Sequence, residues 1–306
     1  MNNYIIKRLF LTIPTVFGVV TLVFLVIHFI PGDPVEIMLG ETASQTDKAK
    51  LRADLGLDLP VFIQYFRFLS NLIQGDLGTS FHFRQPAFEL IMIRLPATIE
   101  LSLGALAVAL IISVPLGIFS AVRQYSYIDQ GSLFLALFGV SMPNFWLGPL
   151  LIIIFSINLG WLPVSGRGDI FNLILPAITL GSSMAAILTR MIRSSLLDTL
   201  KEEYIKTARA KGLPEPIILL KHALRNALLP VVTILGLQFG SLLAGSIITE
   251  TIFSWPGIGW LTIQAIVSRD YPLVQVCVMA IALGYVFINL LTDLVYAWID
   301  PRIKYE

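Results

Sequence analysis

Long apolar runs separated by short polar segments dominate the chain. Runs of about 20 apolar residues have the length that crosses the hydrocarbon core of a bilayer as a helix. The runs predict six membrane spans with approximate bounds 9–30, 98–121, 132–158, 172–192, 228–250 and 273–298. The pattern therefore predicts an all-α integral membrane protein. We divide it into residues 1–96, the first span plus an extracytoplasmic helical segment, and residues 97–306, a five-helix transmembrane core.

The long segment 31–96 carries helical signals of its own. A short helix is expected over 47–55, closed by Gly56, and a second one from Pro60 onward. The second has an apolar stripe at helical spacing, made of Phe62, Tyr65, Phe66, Leu69, Leu72 and Ile73. Two interpretations stay open: a helix lying on the lipid headgroups, or a platform that contacts a soluble substrate-binding protein.

Basic residues between the spans indicate the orientation. One side holds thirteen in its short segments: Lys7, Arg8, Arg123, Arg190, Arg193, Lys201, Lys206, Arg209, Lys211, Lys221, Arg225, Arg302 and Lys304. The short segments opposite hold only Arg167 and Arg269. The positive-inside rule then places both termini and the 193–227 loop in the cytoplasm. The first apolar run exceeds the roughly 7–15 residues of a secretory signal, so we expect a retained span.

Composition supports a membrane protein and argues against several other classes. The chain is 56% hydrophobic and 13% charged, against roughly 25% charged residues in soluble domains. A net charge of +1 does not favour a nucleic-acid partner. The single cysteine, Cys277, lies in an apolar run, where we expect a buried hydrophobic side chain.

The most informative polar segment interrupts the pattern between the fourth and fifth spans. A helix is expected from about Asp198 to Lys211, with Glu202 and Lys206 spaced four apart in the favourable order. Gly212 stands where a helix needs a left-handed residue to end. The segment therefore predicts a short charged helix held between two membrane spans.

Beyond the glycine, Pro214 and Pro216 prevent the first helix from continuing. A second helix is expected from about Ile217, leading through Leu229-Pro230 into the fifth span. A rigid helix–turn–helix tethered on both sides is suited to receive a mechanical push from a soluble partner.

This segment, EYIKTARAKGLPEPIILLKHALRNALLP, resembles the coupling loop of ABC-importer permeases. Lys206-Thr207-Ala208 occupies the EAA-like triplet, without its glutamate, and the stretch from Gly212 to Leu229-Pro230 is longer than the usual consensus. Both departures resemble the dipeptide/oligopeptide/nickel branch. Further phrases similar to that branch are SMPNFW (Ser141 to Trp146), WPGIG (Trp255 to Gly259), RDYP (Arg269 to Pro272) and DPRI (Asp300 to Ile303).

The resemblance implies a fold and a set of partners. The fold is that of a six-helix ABC-importer permease with cytoplasmic termini, in the cell membrane. The partners are a second homologous permease subunit, two ATP-binding subunits and an extracytoplasmic substrate-binding protein. The chain binds no cofactor or metal in this interpretation, since ATP and Mg²⁺ belong to the ATPases.

The resemblance also assigns the contact with the ATPases. It falls on Glu203, Tyr204, Lys206, Thr207, Ala208, Arg209, Ala210, Lys211 and Gly212. We expect Ala208 and Ala210 to allow close approach of the ATPase, while Arg209 and Lys211 supply charge partners. The implied substrates are di- or oligopeptides, with a nickel chelate or glutathione as alternatives.

Polar groups inside the spans are scarce, and they predict a translocation path. The candidates are Ser141, Pro143, Asn144, Gln238 and Asn289. Each amide is costly against lipid and should face protein or water. For a single amide, interhelical hydrogen bonding is the favoured explanation, whereas the set together favours a common path.

Other intramembrane features have structural explanations. Asp293 is expected in a gate or a structural salt bridge, and Gly236 and Gly240 in a close-packing seam. Glu100 and Glu250 lie near the outer span ends, where either a substrate amine or the membrane interface explains them.

Catalytic chemistry finds no support in the sequence. There is no Gly-Lys dipeptide and hence no P-loop, and His28, His82 and His222 show no metal-ligand spacing. An ABC permease subunit is favoured over a stand-alone channel or secondary transporter, which often shows inverted repeats and paired intramembrane ionisable residues. A membrane enzyme is the least favoured class.

Overall fold

The computed structural model describes residues 2–29, 34–39, 43–54 and 56–299. Every regular element in these ranges is a helix. The helices are α1 (Asn2–Phe29), α2 (Pro34–Leu39), α3 (Gln45–Asp54), α4 (Val61–Ile73), α5 (Ala87–Val122), α6 (Tyr127–Ser141), α7 (Asn144–Leu151), α8 (Ile170–Thr199), α9 (Glu203–Ala210), α10 (Glu215–Ile217), α11 (Leu224–Ile252), α12 (Ile258–Val267) and α13 (Tyr271–Ile299). Two wider π-helical stretches, Ile152–Asn158 and Ile218–Ala223, continue α7 and α10.

Four described helical stretches are long and apolar enough to cross a membrane: Ala87–Val122, Ile170–Thr199, Glu215–Leu242 and Tyr271–Val295. The bent pair formed by α6 and α7 makes a fifth if it is one span. In α1, the stretch Phe10–Leu25 is an apolar helix too short to count as a full span when only residues with described side chains are considered. The DPRI segment (Asp300 to Ile303) lies outside the described residues. The C-terminal ends of the first and last predicted spans lie outside the described side chains.

The third predicted span is not one straight helix. Its two halves, Tyr127–Ser141 and Asn144–Asn158, meet at an angle of 104°. Pro143 precedes the second half with φ −64° and ψ 140°, an extended conformation. Proline lacks the N–H that a continuous helix needs and disfavours helical geometry in the residue before it. The helix that the third span predicts is therefore interrupted, and the proline marks the corner.

The core forms where α5, α8 and α11 pack together. Its central residues are fully or almost fully buried apolar side chains, among them Leu101, Leu180, Met184, Leu188 and Val231. Close approach of α5 and α8 depends on a glycine, because a Cβ at Gly181 would lie 2.5 Å from the carbonyl oxygen of Ala105. The two helices consequently form the most extensive helix pair of the bundle.

The contacts also define the two ends of the bundle. Ala121 at the end of α5, Leu196 near the end of α8, Ile205 of α9 and Ala227 early in α11 share one apolar cluster, and we call this the α9 end. At the opposite end, the Gly166 amide donates to the carbonyl of Phe253 at 2.8 Å.

Candidate coupling surface and transport path

The sequence predicts the end of α9 better than its beginning. Gly212 has φ +74°, and its amide donates to the Arg209 carbonyl at 2.9 Å, so the glycine ends the helix in the left-handed conformation. The beginning is different, because α8 continues to Thr199 and α9 starts only at Glu203. Asp198 therefore belongs to the preceding membrane helix.

The inner face of α9 joins it to the membrane helices. Ile205 is fully buried and Ala208 is 8% exposed, and both pack against Leu196, Ile218 and Ala223. The expectation that Ala208 offers an open surface to a partner does not fit this position. Its small side chain instead lets α9 lie close to the ends of the spans. A displacement of α9 must therefore act on the helices beneath it.

The outer face of α9 is exposed and charged. Lys206 forms an ion pair with Glu203 at 2.6 Å, whereas the sequence had suggested Glu202 as its neighbour. Arg209 binds Glu215 across the glycine turn, with Nε 2.7 Å from Oε1. This hydrogen bond raises the pKa of the Arg209 guanidinium. The arginine thus holds the turn together instead of presenting an unpaired charge.

Beyond the ion pairs, Thr207, Ala210, Lys211 and Gly212 are exposed, and Lys211 makes no salt bridge with any residue that the structure describes. These residues and Lys206 form a continuous surface along the outer side of α9 and its turn. A soluble protein has access to this surface and not to Ala208.

Tyr204 makes a second link between α9 and α11. Its hydroxyl donates to the carbonyl of His222 at 3.3 Å and accepts from the Asn226 amide at 2.8 Å. His222 lies in the π-helical stretch that leads into α11. Wider turns of this kind occur often at functional sites in helices. Sequence inspection included Tyr204 in the contact surface but gave no sign of this link.

An ion pair missed by the sequence reasoning braces the same end of the bundle. Arg193 of α8 binds Asp129 of α6 in a bidentate arrangement, with distances of 2.6 and 2.7 Å. Asp129 also accepts from the Ser120 hydroxyl and from the Tyr125 amide. Asp129 is buried, and these donors satisfy its carboxylate. The ends of α5, α6 and α8 are therefore held together where α9 docks.

The residues predicted to line a path lie at two different places. Ser141 and Pro143 are exposed and Asn144 is half-buried at the corner between α6 and α7. Gln238 and Asn289 are half-buried on α11 and α13. A path that includes both groups stays a prediction.

Asn289 lies in the seam between α11 and α13. A Cβ at Gly240 would meet the ring of Tyr285 at 3.0 Å and the Oδ1 of Asn289 at 3.7 Å, and one at Gly236 would collide with Thr292. The two glycines are therefore packing positions. The Oδ1 atom of Asn289 is buried without a hydrogen bond to any described residue.

Charged residues near the span ends have partners within the protein. Asp293 forms a salt bridge with Arg8 at 3.0 Å, in line with the structural alternative. Glu100 pairs with Arg167 at 2.7 Å. Glu250 is completely buried and accepts from the Thr98 hydroxyl at 2.8 Å and the Trp260 amide at 2.9 Å. This burial leaves neither an interfacial position nor an accessible substrate amine as an explanation for Glu250.

The RDYP and WPGIG phrases organise the end opposite α9. Asp270 accepts from the Ser80 hydroxyl and from the His82 amide, the latter at 3.0 Å, and so ties the segment before α5 to the start of α13. Trp255 is buried and donates from Nε1 to the Ala97 carbonyl at 2.7 Å. Both phrases therefore join helices that are distant in sequence.

Two family matches cover nearly the whole chain. Residues 113–305 match the family described as binding-protein-dependent transport system inner membrane component. Residues 1–102 match the N-terminal membrane component of the same kind of system.

Full-length relatives agree with these matches. The glutathione transport system permease protein GsiC of Pectobacterium atrosepticum is 46% identical over 306 residues, which is 100% of both chains. GsiC of Escherichia coli (strain K12) is 44% identical over the same length, again 100% of both chains.

Solved structures share the fold at low sequence identity. The inward-facing MetNI methionine ABC transporter aligns with TM-score 0.59 and 16% identity, covering 69% of this chain and 96% of that chain. An amino acid ABC transporter crystallised with histidines aligns with TM-score 0.51 and 18% identity, covering 71% and 95%.

Several apolar spans among the described residues, together with the family matches and full-length relatives, make this chain a multi-pass permease of the plasma membrane. The chain belongs to the family of binding-protein-dependent transport system inner membrane components, and it is the permease subunit of an ABC importer of the peptide/nickel family. The resemblance seen in the sequence motifs is thereby confirmed. Members of this family work with ATPase and binding-protein partners, and this chain is the membrane component, not the ATPase.

Proposed function

We propose that this chain translocates glutathione across the plasma membrane as one permease subunit of an ATP-driven importer. The observation that carries the proposal is the identity of 46% and 44%, over the full length, to permeases of glutathione transport systems. Glutathione is one of the two alternatives to di- and oligopeptides that the sequence left open, and the proposal adopts it. Import of other di- or oligopeptides is the second candidate, because the family motifs are common to that branch.

The proposed topology has six spans, with α1 as the first and the bent α6–α7 pair as the third. The pair starts beside Arg193 at the α9 end, and its second half packs with Leu175 and Phe253 at the opposite end. Contacts at both ends of the bundle are those expected if the bent pair crosses the membrane as one broken span. The positive-inside rule places the α9 end and both termini in the cytoplasm.

In the proposed mechanism, two permease subunits, this chain and a homologous partner, enclose a central path. Each presents its 198–216 loop to one of two ATPase subunits. The exposed surface of Lys206, Thr207, Ala210, Lys211 and Gly212 makes the contact, while Ile205 and Ala208 transmit the motion into α8 and α11. An extracytoplasmic binding protein delivers the substrate to the opposite end.

The decisive experiment starts from co-purification in mild detergent of the chain, tagged at its C-terminus. The expected result is recovery of a second permease and of ATPase subunits, identified by mass. The complex and its binding protein are then reconstituted into vesicles. ATP hydrolysis and uptake are measured with glutathione, with a dipeptide and with a nickel chelate.

The outcomes separate the candidates. Stimulation by glutathione at lower concentration than by the dipeptide supports the proposal. Stimulation by the dipeptide alone replaces glutathione with the second candidate. Recovery of a folded, stable chain without any partner, active in vesicles without ATP, would instead show a stand-alone channel or carrier.

A further inference from the structure

Helix α4 presents three different faces. One apolar face packs against α1 and α13 through Phe68, Leu69 and Leu72, and Tyr65 on the same face contacts α1. A second apolar face is exposed and consists of Phe62, Phe66 and Ile73, with exposed fractions of 63%, 65% and 86%. The third face is polar, with Arg67, Ser70, Asn71 and Gln74 exposed. No described residue covers the exposed apolar face. A helix with one polar face and one uncovered apolar face is suited to the boundary between water and lipid.

The packed face fixes the position of α4 along the first helix. The Tyr65 hydroxyl lies 2.6 Å from the Thr21 hydroxyl, and the Tyr65 and Phe68 rings lie 5.2 and 5.5 Å from the ring of Phe24. Thr21 precedes Phe29, the last residue of α1, by eight residues, or about 12 Å along the helix axis. Apart from His28, the sequence stays apolar from Leu22 to Ile30. The contact between Tyr65 and Thr21 therefore lies within the apolar length of α1, about 12 Å from the last residue of the helix.

The last helix gives an independent measure of the same depth. The cluster that holds α4 includes Met279 and Leu283 of α13. These residues follow Tyr271, the first residue of α13, by eight and twelve residues, or about 12 and 18 Å. Both neighbouring helices thus place α4 alongside spans and not above them.

The polar face points toward its own loop. The Gln64 amide donates to the Leu59 carbonyl at 2.8 Å and to the Leu57 carbonyl at 3.3 Å. A Cβ at Gly56 would lie 2.8 Å from a guanidinium nitrogen of Arg67. The turn over residues 56–59 therefore covers part of the polar face and leaves the apolar face uncovered.

We propose that α4 is embedded in the membrane leaflet at the end opposite α9, with Phe62, Phe66 and Ile73 in contact with lipid acyl chains. Helix α1, against which α4 packs, also exposes apolar side chains, namely Phe17, Leu22 and Leu25. A water-soluble binding protein does not reach a face about 12 Å below the end of a span. Part of the segment expected outside the membrane is therefore a membrane element, which goes beyond the transport function.

The single native cysteine makes a direct test practical. Cys277 is fully buried, and a Cys277→Ala chain provides the background for two labelled variants, Phe66→Cys and Asn71→Cys. The two positions lie about 140° apart around the helix, one on the exposed apolar face and one on the exposed polar face, so Asn71→Cys is the matched control. Each carries a nitroxide spin label in the full transporter complex, reconstituted into phosphatidylethanolamine/phosphatidylglycerol vesicles. Collision with oxygen, which concentrates in lipid, is compared with collision with a water-soluble nickel chelate.

The expected result is a several-fold higher ratio of oxygen to chelate collisions at position 66 than at position 71. Equal ratios at the two positions, with access to the chelate at both, would place the face in water and overturn the proposal. Low collision rates with both reagents at position 66 would show a protein neighbour and also overturn it. Phe62→Cys repeats the test if the position 66 variant does not assemble.

Discussion

The buried carboxylate of Glu250 shows how one residue joins three helices. It lies near the end of α11, and its donors belong to α5 and α12, through the Thr98 hydroxyl and the Trp260 amide. A buried charge is tolerated only when hydrogen bonds replace the water it has lost. From the sequence, a glutamate near the end of a span suggested a position at the membrane interface or near a substrate. The sequence alone does not reveal which hydrogen-bond donors surround it.

Glu250→Ala should lower the stability of the permease strongly. The change leaves the buried Thr98 hydroxyl and the Trp260 amide without their acceptor, and each buried donor left unsatisfied costs about 1–3 kcal/mol. Glu100→Ala is the control, because its salt bridge with Arg167 is partly exposed and such pairs contribute about 0–1 kcal/mol. Thermal unfolding in detergent measures both, and an equal shift for the two variants would contradict the role given to Glu250.

Tyr204→Phe tests the link between α9 and α11. The change removes the hydroxyl that bonds His222 and Asn226 and keeps the ring. The lost bonds are worth about 0.5–1.5 kcal/mol each, so the fold should persist while less substrate is transported per ATP hydrolysed.

Tyr127→Phe is the matched control for that experiment, since Tyr127 lies at the same end of the bundle and is 93% exposed. The ratio of uptake to ATP hydrolysis in vesicles is the measurement. An unchanged ratio in Tyr204→Phe would remove the tyrosine from the coupling proposal.

At the scale of helices, apolar length predicted more than helix geometry. The expected spans 98–121, 172–192, 228–250 and 273–298 all fall inside α5, α8, α11 and α13, because a run of about 20 apolar residues has few alternatives in a membrane. The 104° corner at Pro143 was missed. A proline in a span permits a straight, kinked or broken helix, and the packing of neighbours decides among them.

For α9 as well, the sequence predicted where the helix ends but not how it packs. Gly212 identified the end of the helix, because few residues other than glycine adopt a left-handed conformation. The burial of Ala208 and the Arg209–Glu215 pair depend on contacts with α8 and α10. No local pattern in the sequence encodes those contacts.

Gly181→Val should disrupt the seam between α5 and α8. Its Cβ alone would lie 2.5 Å from the backbone oxygen of Ala105, so the helices must separate, and overpacking of this kind costs about 1–3 kcal/mol or more. Gly131→Val in α6 is the control, because no heavy atom lies within 4 Å of the Cβ it would add. A lower midpoint of thermal unfolding for Gly181→Val alone is the expected result, and equal midpoints would contradict the seam.

At the scale of the whole molecule, several contacts join the helices at the α9 end. The apolar cluster of Ile205 and Ala208 and the Tyr204 link connect α9 to α5, α8 and α11, and the Arg193–Asp129 pair connects α8 to α6. A force on the exposed side of α9 is therefore shared among several membrane helices. This arrangement fits a subunit that receives its energy from a separate ATPase.

A substitution series at Gly212 tests the turn that gives α9 its shape. Proline cannot adopt the observed φ of +74°, whereas asparagine tolerates the left-handed region better than other residues with a side chain. Gly212→Pro should therefore leave membrane insertion intact while uncoupling transport from ATP hydrolysis, and Gly212→Asn should retain more coupling than Gly212→Pro.

Gly160→Pro is the control for backbone strain, because Gly160 has φ +66°, also has open space around its Cβ, and lies away from α9. It should lower coupling less than Gly212→Pro if the turn beside α9 is the contact with the ATPase. Uptake and ATP hydrolysis in vesicles give the coupling ratio for each variant. Normal uptake in Gly212→Pro would show that the ATPases drive this permease through a different surface, because a displaced turn cannot preserve a contact made by residues 206–212.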